Sequence, residues 1–395
     1  MRTKAILVCL FLIISAIGVR ATTYKTIYSF SSWDDGENPY PGVIFDQAGN
    51  LYGVVAWGEE SQGTVFQLTP SPGRWWTYNS WHQFGMQDPD GAGPIGGLAM
   101  DEAGNLYGTA SSDVGPDWHC GTVFQVPRSG GFVVLHYFNN IDGCDPESTV
   151  SYSNGVIRGA TRGGGSQGQG TVFSMDTSGG SFQFDSFTGK KGSQPLSAVS
   201  LWGYGTTVSG GGQGQGEIYR LDPRKGILRV HSFNQAGAMG SAPMGDLLTL
   251  DVGGVRTIYG TTFTGGAGGG GTVYRLTELR PNSDLWLTRA LYSFTSGSGE
   301  GWAPAAGLTA DAAGNLYGTT FSGGTQDSCG TVFKLSPGKN NKWTHTVLYS
   351  FDYYNNWEDG CQPTGGVVFD KAGNLYGTTQ WGGEDGYGAV YEITP

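Results

Sequence analysis

Seven-fold self-similarity limits what this chain can fold into more than any other feature of it. The step Tyr-Gly recurs at Tyr52, Tyr107, Tyr204, Tyr259, Tyr317 and Tyr376, and Arg158-Gly159 fills the place between the second and third. Downstream of each stands a step of the type Gly-Thr-Val-Phe: Gly63 to Phe66, Gly121 to Phe124, Gly170 to Phe173, Gly216 to Tyr219, Gly271 to Tyr274, Gly330 to Phe333 and Gly388 to Tyr391. A unit of this length cannot bury its apolar face alone, so the copies must pack on one another. Seven copies in residues 22–395 leave about 53 residues each, near the ~40 to 50 of a propeller blade.

Each copy parses into four short strands. In the sixth, an apolar strand over 305–310 leads through an Asp311-x-x-Gly314-Asn315 turn into 316–320. A Gly-rich loop then feeds 331–335, and Ser336-Pro337-Gly338 turns into 343–351. Gly and Asn suit such hairpins because both tolerate positive φ. The expected fold is therefore all-β, a seven-bladed β-propeller in which radial repetition protects the sheet edges. Residues 24–30 read as a lone fourth strand and 389–394 as a last third strand, so the N-terminal strand is expected to join the C-terminal blade and close the ring. Trp75, Trp286 and Trp343 begin fourth strands at repeated positions and read as structural.

The run Gly314-Asn315-Leu316-Tyr317-Gly318-Thr319-Thr320, a Gly-rich gap, then Gly330-Thr331-Val332-Phe333-Lys334-Leu335 resembles the unit of the secreted bacterial tandem-repeat proteins called GloVer repeats. The resemblance covers essentially residues 24–395, and the first two strands of a copy are also similar to NHL-type propeller repeats. It implies export and a propeller, and it transfers no catalytic residues. The third copy, without the Asp-x-x-Gly-Asn turn and with Arg158 for Tyr, and the fourth, with Trp202-Gly203 in the turn, depart most from the pattern.

Met1-Arg2-Thr3-Lys4 is basic, residues 5–19 are apolar, and Val19-Arg20-Ala21 offers a small-residue cleavage site. Residues 1–21 thus read as a secretory signal peptide, too short for a membrane span, ahead of a single propeller domain over 22–395. The expectation is a soluble monomer, extracellular, periplasmic or associated with the cell surface. A formal net charge of −11, more negative once Arg2, Lys4 and Arg20 leave, weighs against nucleic acid and anionic membranes as partners. Cys9 lies in the leader. Of the others, Cys120 and Cys329 each precede Gly-Thr-Val-Phe, while Cys144 and Cys361 each follow the next fourth strand, which predicts disulfides Cys120–Cys144 and Cys329–Cys361.

No metal or cofactor is expected. The cysteines are too scattered for zinc, and the Asp turns supply too few oxygens for calcium. The Gly-rich loops lack the helix and Lys-Ser/Thr of a phosphate cradle. Gly164 to Gly168 fits G-x-S-x-G without its strand-turn-helix context.

In this parse the loops after strands two and four open on one face, and the hairpin turns open on the other. The first face gathers Trp33, Asp34, Asp35, Glu37, Trp57, Glu59 and Glu60 from the start of the chain. From its end come Trp302, Trp357, Glu358, Trp381, Glu384, Asp385 and Tyr387, which ring closure makes neighbours of the first group. Aromatic faces beside carboxylates suit sugars, which offer C–H groups to a ring and hydroxyls to an acid. The alternative is that these tryptophans cap the blade cores.

Arg158 and the Glu217 that replaces Thr are expected to face each other between blades three and four, with Arg162 nearby. They would form either an inter-blade ion pair or a subsite for an acidic sugar. His82, His136, His231 and His345 fall in fourth strands and read as structural, leaving His119 as an acid or base.

Three functions follow. The first is non-catalytic binding of polysaccharide or another glycan. The second is an enzyme, either a glycoside hydrolase using two of Glu37, Glu59, Glu60 and Glu384 or a polysaccharide lyase with Arg158 neutralising a uronate. The third is a protein-interaction platform.

Overall fold

The computed structural model describes residues 22–395 apart from 33–34, 60, 74, 86–89, 113–119, 235–236, 282, 325–328, 354–355 and 357. The signal peptide expected over 1–21 lies outside the described residues.

Four copies open with one hairpin, built by an aspartate. Asp46 Oδ1 accepts from the Asn50 backbone N–H at 2.9 Å, and its Oδ2 accepts from Asn50 Nδ2 at 2.7 Å and the Tyr52 hydroxyl at 3.2 Å. Asp101, Asp311 and Asp370 make the same three bonds. Burial opposes ionisation of Asp46, Asp101 and Asp311, but the amide and hydroxyl donors outweigh it and hold these carboxyls below their ordinary range. Gly49 takes φ +92° inside the turn, a conformation that favours glycine.

The strands form seven antiparallel sheets in meander order, plus a two-stranded bridge of Gly360–Cys361 with Trp381–Gly382. Blade one is Ile44–Phe45, Leu51–Val55, Thr64–Ser71 and Trp75–Gln83. Blades two, three, five and six repeat it, while blade four has three strands, Tyr204–Thr207, Glu217–Asp222 and Gly226–Ser232. Blade seven takes Val368–Phe369, Leu375–Thr379 and Ala389–Thr394 from the end of the chain and Thr23–Ser29 from the start. The expected closure is therefore present, with Thr23 opposite Thr394 and Ser29 opposite Ala389.

One expectation needs correction. The first strand of copy six is laddered only at Thr309–Ala310, not over 305–310. The preceding residues run beside the axis and bond to the neighbouring blade instead, as where the Thr261 hydroxyl donates to the Ala306 carbonyl at 2.8 Å.

The core lies between blades. In all seven copies the Gly of the Tyr-Gly step pairs across the ladder with the aromatic residue of the third strand, as Gly53 with Phe66 and Gly377 with Tyr391. A Cβ on any of these glycines would stand 2.4–2.8 Å from that ring. The ring in turn meets the edge of a fully buried Phe at the end of the previous blade's fourth strand. The pairs are Phe30–Phe66, Phe84–Phe124, Phe138–Phe173, Phe187–Tyr219, Phe233–Tyr274, Phe294–Phe333 and Phe351–Tyr391, at centroid separations of 5.0–5.3 Å. Burying each Phe stabilises by roughly 1.5–3 kcal/mol, and the ring contact adds about 0.5–1.5.

Both expected disulfides form, across seams. Cys120 of blade two joins Cys144 at the lead-in to blade three, and Cys329 of blade six joins Cys361 at the lead-in to blade seven. Among the described residues no helix is long and apolar enough to cross a membrane.

Phe30 tests the closure. Phe30→Ala deletes a buried ring from the closing strand and is expected to cost about 3–5 kcal/mol in urea unfolding. An unchanged midpoint would mean that the first strand is not engaged.

Candidate binding site at the channel mouth

Every blade begins with a proline that turns the chain toward the axis: Pro39, Pro94, Pro146, Pro195, Pro243, Pro304 and Pro363. Each packs on the Gly of the previous blade's Gly-Thr-Val-Phe step, where a Cβ would meet proline Cδ at 2.3–2.8 Å. The residue after each proline, Tyr40, Ile95, Glu147, Leu196, Met244, Ala305 or Thr364, lines an axial cavity of about 370 Å3. Small residues follow because the inner backbones nearly touch: a Cβ at Gly42 would stand 2.7 Å from the Gly366 carbonyl oxygen, and one at Gly245 2.3 Å from that of Ala306.

Charged groups enter this ring from two blades. Arg162, which directly follows strand Val156–Thr161, donates from Nη1 to Glu147 Oε1 at 3.2 Å. Burial raises the Glu147 carboxyl above its ordinary range, and the guanidinium offsets only part of that rise. Asp246 stands where four other copies carry Gly42, Gly97, Gly307 and Gly366. Its Oδ1 accepts from the Ala198 backbone N–H at 2.5 Å, and Thr149 also bonds it, so one side chain ties blades five, four and three. Burial raises this carboxyl too, against the pull of those two donors. Two acids inclined to hold protons thus face one cavity.

Around the mouth, the structure sorts the residues expected to bind sugar. Trp57 and Trp381 occupy equivalent loop positions in the adjacent blades one and seven, and are 40% and 43% exposed. Glu37 bridges Trp57 through the backbone, and its Oε2 accepts from the Ser32 hydroxyl at 3.0 Å. Glu59 is exposed nearby, and Tyr387 is half-buried where its carbonyl accepts from the Asn38 N–H at 2.9 Å across the closing seam. Trp33, Trp357, Asp34, Glu60 and His119 lie outside the described residues.

Other residues have different roles from those expected. Trp302 is half-buried over Gly270 and packs against the core shared by blades five and six. It stands where Cys144 and Cys361 stand in their blades, and Gly270 stands where Cys120 and Cys329 do, so the indole fills a disulfide position. Asp35 is buried and engaged by the Tyr28 hydroxyl at 2.8 Å and by Ser31. The same clamp binds His82 to Asp90 and His136 to Asp142, which makes these two histidines structural as expected.

Arg158 and Glu217 do not meet. Glu217 is buried in its own blade, accepting from the Gly212 N–H at 2.9 Å and the Ser232 hydroxyl at 2.6 Å, with Arg229 at 3.5 Å. Its side chain turns toward the Gly-rich loop and the strand Gly226–Ser232 of its own blade. Arg158 and Arg162 likewise line different cavities, at opposite ends of one strand.

The sequence reading missed the channel acids Glu147 and Asp246. The signal available was the seven-fold proline, with Asp246 at a position that is otherwise Gly, Ala or Thr and Glu147 as the one carboxylate among the residues that directly follow the prolines.

Similarity to known proteins agrees with this architecture. The family model for the Gloeobacter/Verrucomicrobia repeat matches residues 13–203 and again 202–395. No curated protein matches the chain. Among solved structures, an alpha-L-arabinanase of Penicillium chrysogenum complexed with arabinobiose aligns at TM-score 0.51 and 12% identity, covering 94% of this chain and 97% of that one. A provisionally assigned 6-phosphogluconolactonase of Bacteroides uniformis aligns at TM-score 0.49 and 14% identity, over 83% and 88% of the two chains.

The raised Asp246 carboxyl sets a pH dependence. The folded state keeps this proton at a pH where the unfolded chain has lost it, so stability falls as pH rises from the ordinary carboxyl value through the raised one. Asp246→Asn keeps an acceptor for Ala198 and lacks this fall, so its stability relative to the parent is expected to improve as pH rises above the ordinary carboxyl value of about 4. Urea unfolding at several pH values checks it, and a constant difference would contradict it.

Proposed function

The chain belongs to the Gloeobacter/Verrucomicrobia repeat family, and on that footing we propose that it is an exported propeller that binds polysaccharide at the channel mouth without transforming it. The observation that carries this reading is the pair of exposed indoles, Trp57 and Trp381, on adjacent blades and bridged to the lead-in segments whose next residues line the axial cavity with its Glu147–Arg162 pair. A glycan chain laid across the mouth would present C–H faces to the two rings and hydroxyls to Glu37, Glu59 and the Glu147–Arg162 pair. A cavity of about 370 Å3 has room for part of a sugar unit at the centre. Two disulfides support an oxidising compartment, and the acidic net charge favours a neutral or hydroxyl-rich partner over nucleic acid. The protein would act as a monomer, with its sheet edges closed by its own first strand. The likeness to the arabinanase extends to the fold alone and lends no residue to the site.

Glu147 and Asp246 favour a second reading. Carboxyls raised by burial and facing one cavity suit general acid chemistry on a glycosidic oxygen. In that case Glu147 would be the acid and Arg162 the group that orients it.

One assay on residues 22–395 separates these readings: retention on insoluble neutral polysaccharides, with reducing ends measured in the same tubes. The binding reading expects retention without release, and at least about a tenfold weakening in the Trp57→Ala/Trp381→Ala double variant. Retention that the double variant leaves unchanged would refute it. Release that disappears in Glu147→Gln would establish the hydrolase instead.

A further inference from the structure

The seams between blades follow a rule. A ring at the fourth-strand position two before the buried Phe stacks on the next blade, as in Tyr28–Tyr78, His82–Phe132, His136–Phe182 and Tyr292–His345. The second-strand Tyr reaches the next blade as well, in Tyr107–Tyr152, Tyr317–Phe369 and Tyr376–Phe45. Blade three breaks both halves of the rule, with Asp185 at the first position and Arg158 at the second. Asp185 faces Gly226 of blade four, where a Cβ would come within 3.1 Å of its Oδ1. Blade four also replaces the Gly-Asn turn with Trp202-Gly203 and lacks a laddered first strand.

The aromatic filling removed from this seam leaves a groove of about 790 Å3. Its walls carry Phe184, Leu201 and Trp202, which are 41%, 59% and 39% exposed, an apolar surface that no other part of the described chain covers. At its base lies Arg158. Its Nη1 is buried without a hydrogen-bond partner, and among the described residues Arg158 forms no ion pair. A buried guanidinium N–H with nothing to donate to is costly, and a carboxylate is the acceptor that matches its fork.

We propose that this groove is a second binding site, separate from the channel mouth, for a carboxylate-bearing sugar, a uronic acid unit of an acidic oligosaccharide. The ring lies on Trp202, its carboxylate meets Arg158, and a hydroxyl donates to Asp185. The same lining carries Asp185 and Asp222 against Arg158 and Arg224, a balanced set of charges that suits a ligand with one carboxylate and several hydroxyls per ring.

Titration calorimetry tests this with trimers of galacturonic, glucuronic and mannuronic acid, each beside its carboxyl-reduced counterpart. At least one uronate trimer is expected to bind, weakening with salt, and its carboxyl-reduced form to bind at least about tenfold more weakly. Arg158→Tyr restores the residue of the other six copies and so preserves packing. With a thermal transition no lower than the parent's, it is expected to lose the same factor, as is Trp202→Ala. Binding of no uronate in the set, equal binding of the reduced trimers, or undiminished binding by Arg158→Tyr would overturn the proposal.

Discussion

An aromatic ring seated over a glycine and packed at a steep angle against a phenylalanine of the previous blade is the interaction on which this molecule depends. It occurs seven times, once per seam, and each occurrence joins residues far apart in sequence into one contact between neighbouring sheets. The glycine admits the ring, the ring fills the space between sheets, and the phenylalanine fixes the separation of the blades. With 0% exposure at every one of the seven phenylalanines, the core is a closed circuit rather than a centre. Such a circuit has no weak terminus only because Phe30 comes from the first strand and Phe66 from the first complete blade.

With the load carried at one position per strand, others are free to vary. The residue after each lead-in proline differs in all seven copies, from Tyr40 to Ala305 to Glu147, while the proline itself never changes. The channel mouth is therefore written in the variable register of the repeat and its frame in the invariant one. The seam position before Gly-Thr-Val-Phe behaves similarly, pairing Cys120 with Cys144, Gly270 with Trp302 and Cys329 with Cys361. A disulfide and a packed indole are alternative fillings of the same gap.

Blade number, ring closure and both disulfides could be read from the sequence because each depends on the repeat alone. The side-chain directions that decide a site could not. Arg158 and Glu217 occupy neighbouring blades, but Arg158 sits where side chains reach the next sheet and Glu217 where they turn into their own. Trp57, Trp302 and Trp381 look alike in sequence, yet they come from opposite sides of one bridging pair. Trp57 and Trp381 lie on its loop side and point outward, whereas Trp302 lies on its lead-in side and packs inward. Glu147 and Asp246 owe their significance to convergence on an axis, which the recurring lead-in proline marks in the sequence without showing which of the residues after it meet there.

The closing strand has a consequence in time. Thr23–Ser29 is synthesised before any other strand of the ring, and its partner Ala389–Thr394 only after the other six blades. Until the last blade is available, the ring carries an unpaired edge on its first and on its most recent strand, and the circuit of rings lacks one link. The nascent protein is thus a stack of finished blades without a finished fold, open to pairing with another chain through the same edges that later find each other. Completion is a single late event that joins the first and last strands of the ring, so a chain cut short anywhere within the ring keeps both edges exposed.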